Sequence, residues 1–275
     1  MTIKMVAIDI DETLLNSEQQ LTEPTVKAVR AASQRGVKIV LCSGRPLAGL
    51  LPYLNKLQIS GADQYVVTYN GAIVQSTTGT VVSRHLLQPT DYSNIAAFCD
   101  EHHVHFNALD DQSNILTSNL KVGWYTVRQA AENEAGLTVL RPEDLPFKRP
   151  LTKMMLADEP AVLDRIMPKF TEQFKQDYYV VRSRPFFLEA SALDANKGAG
   201  LRDLMQYLGL NNNEVMGIGD EANDLPMFKA VGTAVAMANA RDIIKAQTDW
   251  VTTDNNHDGV AKAINHFILS PESSK

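Results

Sequence analysis

The sequence predicts an α/β protein built on a parallel sheet and interrupted midway by a segment in which helices and strands no longer alternate. Three observations carry this prediction. Short, β-branched apolar runs recur with helical stretches between them; each run stops at a polar residue; and the alternation lapses from about Val81 to Ala190 before resuming. Continuous apolar runs are what buried parallel strands look like, because both of their faces are covered.

The first run, residues 3–8, stops at Asp9-Ile10-Asp11-Glu12-Thr13. Asp9 and Asp11 share parity on an extended backbone, so both could face one ligand. Like charges so close need a cation between them or a proton on one. Turn and helix-cap roles stay open here, since Asp and Thr favour both. Thr22 and Pro24 mark the start of a helix that carries Val26, Val29 and Ala32 on one face and ends at Gly36. Residues 37–42 form the second strand, and the crossover helix makes the pair parallel. This strand ends in Ser43-Gly44-Arg45-Pro46, and a helix over 47–57 leads to a third strand, 65–69, ending in Asn70-Gly71-Ala72.

In the middle segment, strand-like runs fall at 81–83, 153–156, 178–181 and 186–188, with helical stretches at 91–103, 121–135 and 159–173. This mixture predicts an α+β insert at 84–190 within a core domain formed by 1–83 and 191–275. Pro89 and Ser191-Ala192-Leu193-Asp194 are the candidate hinges. The rhythm then resumes with a helix over 197–208, a strand over 214–219, a helix over 222–231 and a strand over 233–237. A helix over 240–247, a short strand at 250–252 and a helix over 259–268 follow, and the tail from Ser270 is expected to fray.

Composition narrows the partners. A net charge of −6 and a pI near 5.5 supply no basic face for a nucleic acid. Any anion must be held locally, by a metal ion or a few placed cations. Cys42 and Cys99 make no disulfide framework and no Cys-x-x-Cys pair. With no signal-like start and no apolar run near the ~20 residues of a membrane helix, a soluble cytoplasmic protein is expected.

Asp9, Ser43, Asn70 and Asp220 each follow a predicted strand in four separate βα units. Parallel strands bring such residues to one edge, where α/β sheets bind ligands. Lys197, at a predicted helix start, is either solvated or paired with an anion there. Gly219-Asp220-Glu221-Ala222-Asn223-Asp224 crowds three carboxylates and an amide into one loop. It reads as a helix cap, as part of an oxygen-only Mg²⁺ site, or as both.

Asp9-Ile10-Asp11-Glu12-Thr13, Ser43-Gly44-Arg45, Lys197-Gly198 and Gly219-Asp220-x-x-Asn223-Asp224, in that order, resemble the four motifs of the haloacid dehalogenase superfamily. The resemblance runs nearly end to end, with the insert similar to the α+β (C2-type) cap of the Cof-type sugar-phosphate phosphatases, subfamily IIB. It implies a Rossmann-like parallel-sheet core and a Mg²⁺-dependent phosphatase acting on a small phosphorylated metabolite, a sugar phosphate in the first instance. By that resemblance, Asp9 is the nucleophile that forms an aspartyl-phosphate and Asp11 the general acid and base. Asp9, the Asp11 carbonyl and Asp220 hold the metal, supported by Asn223 and Asp224. Ser43, Gly44, Arg45, Asn70, Lys197 and Asn223 bind phosphate or substrate. Glu12 departs from the pattern, because the family commonly has Gly there. It must fit the turn and keep its charge away from a phosphate.

Other readings are weaker on the residues. Gly217-x-Gly219-x-x-Ala222 formally matches a dinucleotide fingerprint, but Asp220 would face the pyrophosphate. Paired aspartates with a hydroxyl and a lysine also serve phosphoacceptor switches, and a phosphomutase would use the same motifs. Cysteine-based phosphatase chemistry would need an arginine at position 48, where Ala48 stands. His102, His103 and His105 read as polar surface rather than zinc ligands. Arg182, Arg184 and Glu189 of the insert face either substrate or solvent, and selectivity beyond the phosphoryl group is expected from the cap.

Overall fold

The computed structural model describes residues 2–132, 135–146 and 149–270. The chain divides into two compact units, one formed by Met1–Arg84 with Asn196–Lys275 and the other by His85–Ala195.

The strands, in chain order, are β1 (Met5–Ile8), β2 (Lys38–Cys42), β3 (Tyr65–Thr68), β4 (Ile73–Ser76), β5 (Val81–Arg84), β6 (Phe106–Asp110), β7 (Ile115–Thr117), β8 (Leu137–Val139), β9 (Leu151–Ala157), β10 (Tyr178–Arg184), β11 (Phe187–Ala192), β12 (Val215–Gly219), β13 (Thr233–Ala236) and β14 (Trp250–Val251). The first unit carries the sheet β14-β13-β12-β1-β2-β3-β4-β5. From β14 to β3 every pairing is parallel, and β4 and β5 extend the edge antiparallel.

Side-chain alternation makes this sheet the middle of three layers. Val6, Ile8, Ile39, Leu41 and Ile218 face one core with Val29, Leu50, Leu54 and Ile264 from helices. Met5, Ala7, Val40 and Cys42 face the other with Leu201, Leu204, Met227 and Ile244. Burial on both sides is why β1 has no polar residue before Asp9. The chain leaves β1 toward β2 on one side, while β12 lies on the other. The loops after β12 and β1 therefore meet at a switch point in the strand order, where such sheets open a crevice.

The parallel run ends earlier than the lapse at Val81 suggests. Tyr69, Asn70 and Gly71 all have positive φ, at 51°, 55° and 101°. This turns the chain back so that β4 pairs antiparallel with β3, Tyr65 opposite Ser76. Gly71 is required twice over, by its φ and because a Cβ there would collide with the Asn196 carbonyl.

The second unit is an α+β layer pair with sheet order β10-β11-β9-β6-β7-β8, antiparallel except between β7 and β8. Helices Pro89–His102 and Pro160–Phe174 cover one face with Tyr92, Phe98, Leu163 and Phe170, packed on Phe106, Met154, Leu156 and Leu188. Pro89 is the first residue of its helix. Strands β6, β7 and β8 were not expected from the sequence. Among them, β6 hides its apolar character behind Asn107 and Asp110, the latter buried and paired with Arg149 at 2.8 Å, and β7 and β8 have three residues each. The helix expected over 121–135 spans Trp124–Glu132, and its expected continuation at 133–134 lies outside the described residues. The helix expected over 222–231 is a 3₁₀ turn, Ala222–Asp224, followed by Leu225–Ala230.

Candidate active site

Asp9 follows β1 with an extended backbone, and its amide donates to the Ile218 carbonyl of β12 at 2.9 Å. The residue is therefore held at the seam between the two strands. Ser43 follows β2, donating its amide to Val67 of β3 and accepting the Asn70 amide at its carbonyl, both at 2.9 Å. Its hydroxyl accepts from the Arg45 amide at 3.2 Å. Asp220 follows β12. Asn70 lies just beyond β3, so Asp9, Ser43, Asn70 and Asp220, from distant parts of the chain, share one sheet edge.

Lys197 joins them from the first turn of the helix Lys197–Leu208, which Asn196 caps by accepting the Ala199 amide at 2.9 Å. A fully buried lysine at a helix N-terminus opposes the helix dipole and loses its hydration. Two carboxylates compensate. The ammonium donates to Asp9 Oδ1 and, at 2.6 Å, to Asp224 Oδ1. The other oxygen of Asp224 accepts the amides of Asp220 and Glu221 at 3.0 and 3.1 Å, so both of its oxygens are taken. Asp220 accepts the Thr13 hydroxyl at 2.7 Å.

Asp9, Asp220 and Asp224 are buried and lie within reach of one ion; among the described residues they are the one such group of acidic, histidine or cysteine side chains. His102, His103 and His105 form none. With Lys197 charged, the four groups sum to −2 when all are ionised. Burial pushes the Asp9 carboxyl up to about 8; Lys197 opposes the shift, and the charges of Asp224 and Asp220 add to it. Burial likewise raises Asp220 to about 7, against the Thr13 hydrogen bond. Lys197 is held charged: burial opposes this, and Asp224 and Asp9 outweigh burial. An all-oxygen donor set with surplus negative charge in a desolvated place fits a hard divalent cation.

Asp11 does not join this cluster. Its carboxylate is half-exposed and bound by Arg45 at two points, Nη2 at 2.5 Å and Nε at 3.2 Å. The Arg45 guanidinium also donates to Tyr53 Oη at 3.0 Å and to Gln19 Oε1 at 3.2 Å. Asn223 donates to Asn70 Oδ1 at 3.2 Å, and Gly44 packs beside the Asn70 amide.

Glu12 adopts φ +57°, the left-handed conformation for which glycine would be the natural residue. Glu12 thus fits the turn in a conformation that is uncommon but accessible to a non-glycine residue. Its carboxylate accepts from Asn255 Nδ2 at 2.9 Å and from the Ser17 hydroxyl at 3.3 Å.

In the second unit, Arg184 pairs with Glu132 at 3.0 Å and Arg182 with Asp164 at 3.3 Å. Glu189 is buried between Lys153 at 3.1 Å and Ser183 at 2.5 Å.

Sequence reasoning did not single out Asn239, Asn255 or Tyr53 as parts of the site, and it took Thr13 as a motif or cap residue without foreseeing its hydrogen bond to Asp220. Asn239 donates to the Glu12 carbonyl at 2.9 Å and to Asp220 at 3.4 Å. It lies three residues beyond β13, so the rule that picked Asp9, Ser43 and Asp220 would have found it if extended to the next strand.

Fold and site together describe an α/β protein whose parallel-sheet edge carries a buried acidic cluster paired with a lysine. The chain belongs to the haloacid dehalogenase-like hydrolases, whose family profile matches residues 6–264. It is 38% identical over 268 residues to YxeH of Bacillus subtilis (strain 168), which is provisionally named as a phosphatase; the match spans 97% of this chain and 99% of YxeH. It is 32% identical over 267 residues to YcsE of the same organism, named a 5-amino-6-(5-phospho-D-ribitylamino)uracil phosphatase, spanning 97% of this chain and 96% of YcsE. A crystal structure of a haloacid dehalogenase-like hydrolase from Bacteroides thetaiotaomicron superposes with a TM-score of 0.83 at 26% identity, covering 96% of this chain and 99% of that one. Among the described residues, no helix is long and apolar enough to cross a membrane.

Proposed function

We propose that this phosphatase is Mg²⁺-dependent and hydrolyses phosphomonoesters of small metabolites, sugar or polyol phosphates above all, through an aspartyl-phosphate on Asp9. The observation that carries the reading is the buried lysine shared by Asp9 and Asp224 beside Asp220. That arrangement keeps one Asp9 oxygen oriented by a cation and leaves a surplus of negative charge for a metal ion to balance.

In the first step the free oxygen of Asp9 attacks phosphorus. The Asp9–phosphorus bond forms, the ester P–O bond breaks, and Asp11 gives its proton to the leaving alkoxide. In the second step water attacks phosphorus, Asp11 takes its proton, and the acyl-phosphate bond breaks to free phosphate and Asp9. Lys197 and the Ser43 hydroxyl meet the phosphoryl oxygens as charge redistributes. Gly44, Asn70 and Asn223 line the same edge, and Arg45 exchanges its grip on Asp11 for the substrate. Asp9, the Asp11 carbonyl and Asp220 would hold the metal, which would neutralise the charge between carboxylate and phosphate. Asp224, with both oxygens occupied, supports.

The name of YcsE supports a phosphorylated sugar-like chain as substrate. The experiment is phosphate release from a panel of sugar phosphates and phosphoribityl compounds, with Mg²⁺ and with a chelator. Turnover should require the metal and vanish in Asp9→Asn. Full activity in that variant would refute the mechanism, and an isomeric sugar phosphate in place of free phosphate would make the protein a mutase.

A further inference from the structure

Asn255 occupies an unusual position beside the Asp9–Thr13 turn. It is buried, at 5% exposure, and lies beyond the short edge strand β14. Its side-chain amide donates to the Glu12 carboxylate at 2.9 Å and to the Leu15 carbonyl at 3.1 Å. Its backbone amide donates to Asn239 Oδ1 at 3.2 Å, while Asn239 spans the Glu12 carbonyl and Asp220. Two asparagines thus tie the turn after β1 to the loops after β12, β13 and β14.

The Glu12 backbone shares an amide donor with Asp220, so the residue sits at the rim of the acidic cluster. A carboxylate there has two destinations: outward to Asn255 and Ser17, or inward toward the place where a phosphoryl group must bind. Inward placement would repel the substrate anion. Glycine at this position would raise no such problem, since it has no side chain to place.

We infer that Asn255 is a positioning residue that holds the Glu12 carboxylate away from the anion site, a task that exists only because this chain has glutamate in the turn. The inference rests on the phosphoryl-binding site proposed above. Asn255 touches neither phosphate nor metal; it acts through Glu12.

The test is a double-mutant cycle on the full-length protein. Inorganic phosphate binding in saturating Mg²⁺, and Mg²⁺ binding alone, are measured by calorimetry for the parent, Asn255→Ala, Glu12→Gln and the double variant. In the Glu12 background, Asn255→Ala should weaken phosphate binding about three- to tenfold, the scale of a like charge near a partly solvated anion. It should leave Mg²⁺ affinity unchanged or higher, because a carboxylate released toward the cluster favours a cation. In the Glu12→Gln background the same substitution should change phosphate binding less than about twofold.

Simple loosening of the loop would weaken phosphate and Mg²⁺ together and equally in both backgrounds, and that result overturns the inference. Asn255→Asp keeps the volume should the alanine variant fold poorly. It should expel Glu12 and weaken phosphate binding. The effect should vanish in the Glu12→Gln background, where the glutamine amide can donate to the new carboxylate; persistence there counts against the inference. A parent that binds no phosphate overturns the site itself, whereas a parent that binds phosphate with an additive cycle overturns only the role of Asn255.

Discussion

Replacing Lys197 by Met removes the one positive charge from a buried group of three carboxylates and leaves the volume nearly unchanged. Asp9 and Asp224 each lose a direct ion-pair partner, and stripping one partner from a buried pair typically costs about 3–5 kcal/mol. The two losses do not add, because the cluster can respond by taking up a proton. Protonating a carboxyl of ordinary pKa at pH 7 costs about 4 kcal/mol, which caps the penalty near that value. The cap falls by about 1.4 kcal/mol for each unit of pH below 7. Lys197→Met should therefore melt about 10 °C below the parent at pH 7 in chelator, using the usual few degrees per kcal/mol for a domain of this size. The gap should narrow at pH 5. Mg²⁺ should restore much of the stability, because a divalent ion replaces the missing charge, while phosphate release stays absent for want of the ammonium. Thermal melts followed by circular dichroism at pH 5, 6 and 7, with chelator and with Mg²⁺, supply the measurement. Equal melting of variant and parent at pH 7 without metal would refute the electrostatic account of the cluster.

The parent protein has its own pH dependence. Asp9 and Asp220 have pKa values raised in the folded state to about 8 and about 7, so the native form binds more protons than the unfolded chain between about pH 4 and 8. Their contribution to stability is complete below the unfolded pKa and is lost as pH rises through the folded values. In chelator, denaturation midpoints should fall across that window, and Mg²⁺ should flatten the slope; a rise from pH 5 to 8 without metal would contradict the raised values. Gly71→Ala should destabilise by more than about 2 kcal/mol, since the methyl meets the Asn196 backbone and φ is +101°; urea denaturation measures it, and a loss below about 1 kcal/mol would show that the turn yields. Both cysteines are buried, and burial pushes the Cys42 thiol up to about 12. A thiol reagent should accordingly label neither until the chain unfolds, and rapid labelling of Cys42 in native buffer would contradict that burial. Arg45→Ala frees Asp11 from its bidentate partner and should raise KM more than it lowers kcat if the guanidinium passes to substrate, which steady-state kinetics across the phosphate panel resolves.

The parts of the fold legible in the sequence were those where one physical requirement dominates. β1, β2, β3 and β12 are covered on both faces, so their apolar runs are unbroken and the polar residue that ends each stands out. Topology then does what spacing alone cannot: Asp9 and Asp220, 211 positions apart by number, become neighbours because β1 and β12 pair in parallel. Legibility failed where requirements compete. β4 was hidden because the residues that reverse the chain, Tyr69, Asn70 and Gly71, also belong to the polar strand end that marked the site. β6 was hidden because Asn107 and Asp110 break its pattern; Arg149 pairs with Asp110, and Asn107 Nδ2 donates to Thr126 while its Oδ1 is buried without a partner among the described residues.

The same competition shapes the site. Two aspartates one residue apart suggested two side chains turned to one ligand, yet in the structure only Asp9 enters the buried cluster, while Asp11 lies in the grip of Arg45. Shared parity predicts a shared face only while the backbone stays extended, and Ile10, the residue between the two aspartates, has helical rather than extended backbone angles. Separation of the two carboxylates also suits the chemistry proposed for them. A nucleophile gains from a fixed cation and from burial, which excludes competing water; a group that shuttles protons gains from solvent access and from a partner that can let go. Lys197 supplies the first environment and Arg45 the second, so residues far from Asp9-Ile10-Asp11 in sequence, rather than the motif itself, give the two aspartates different surroundings.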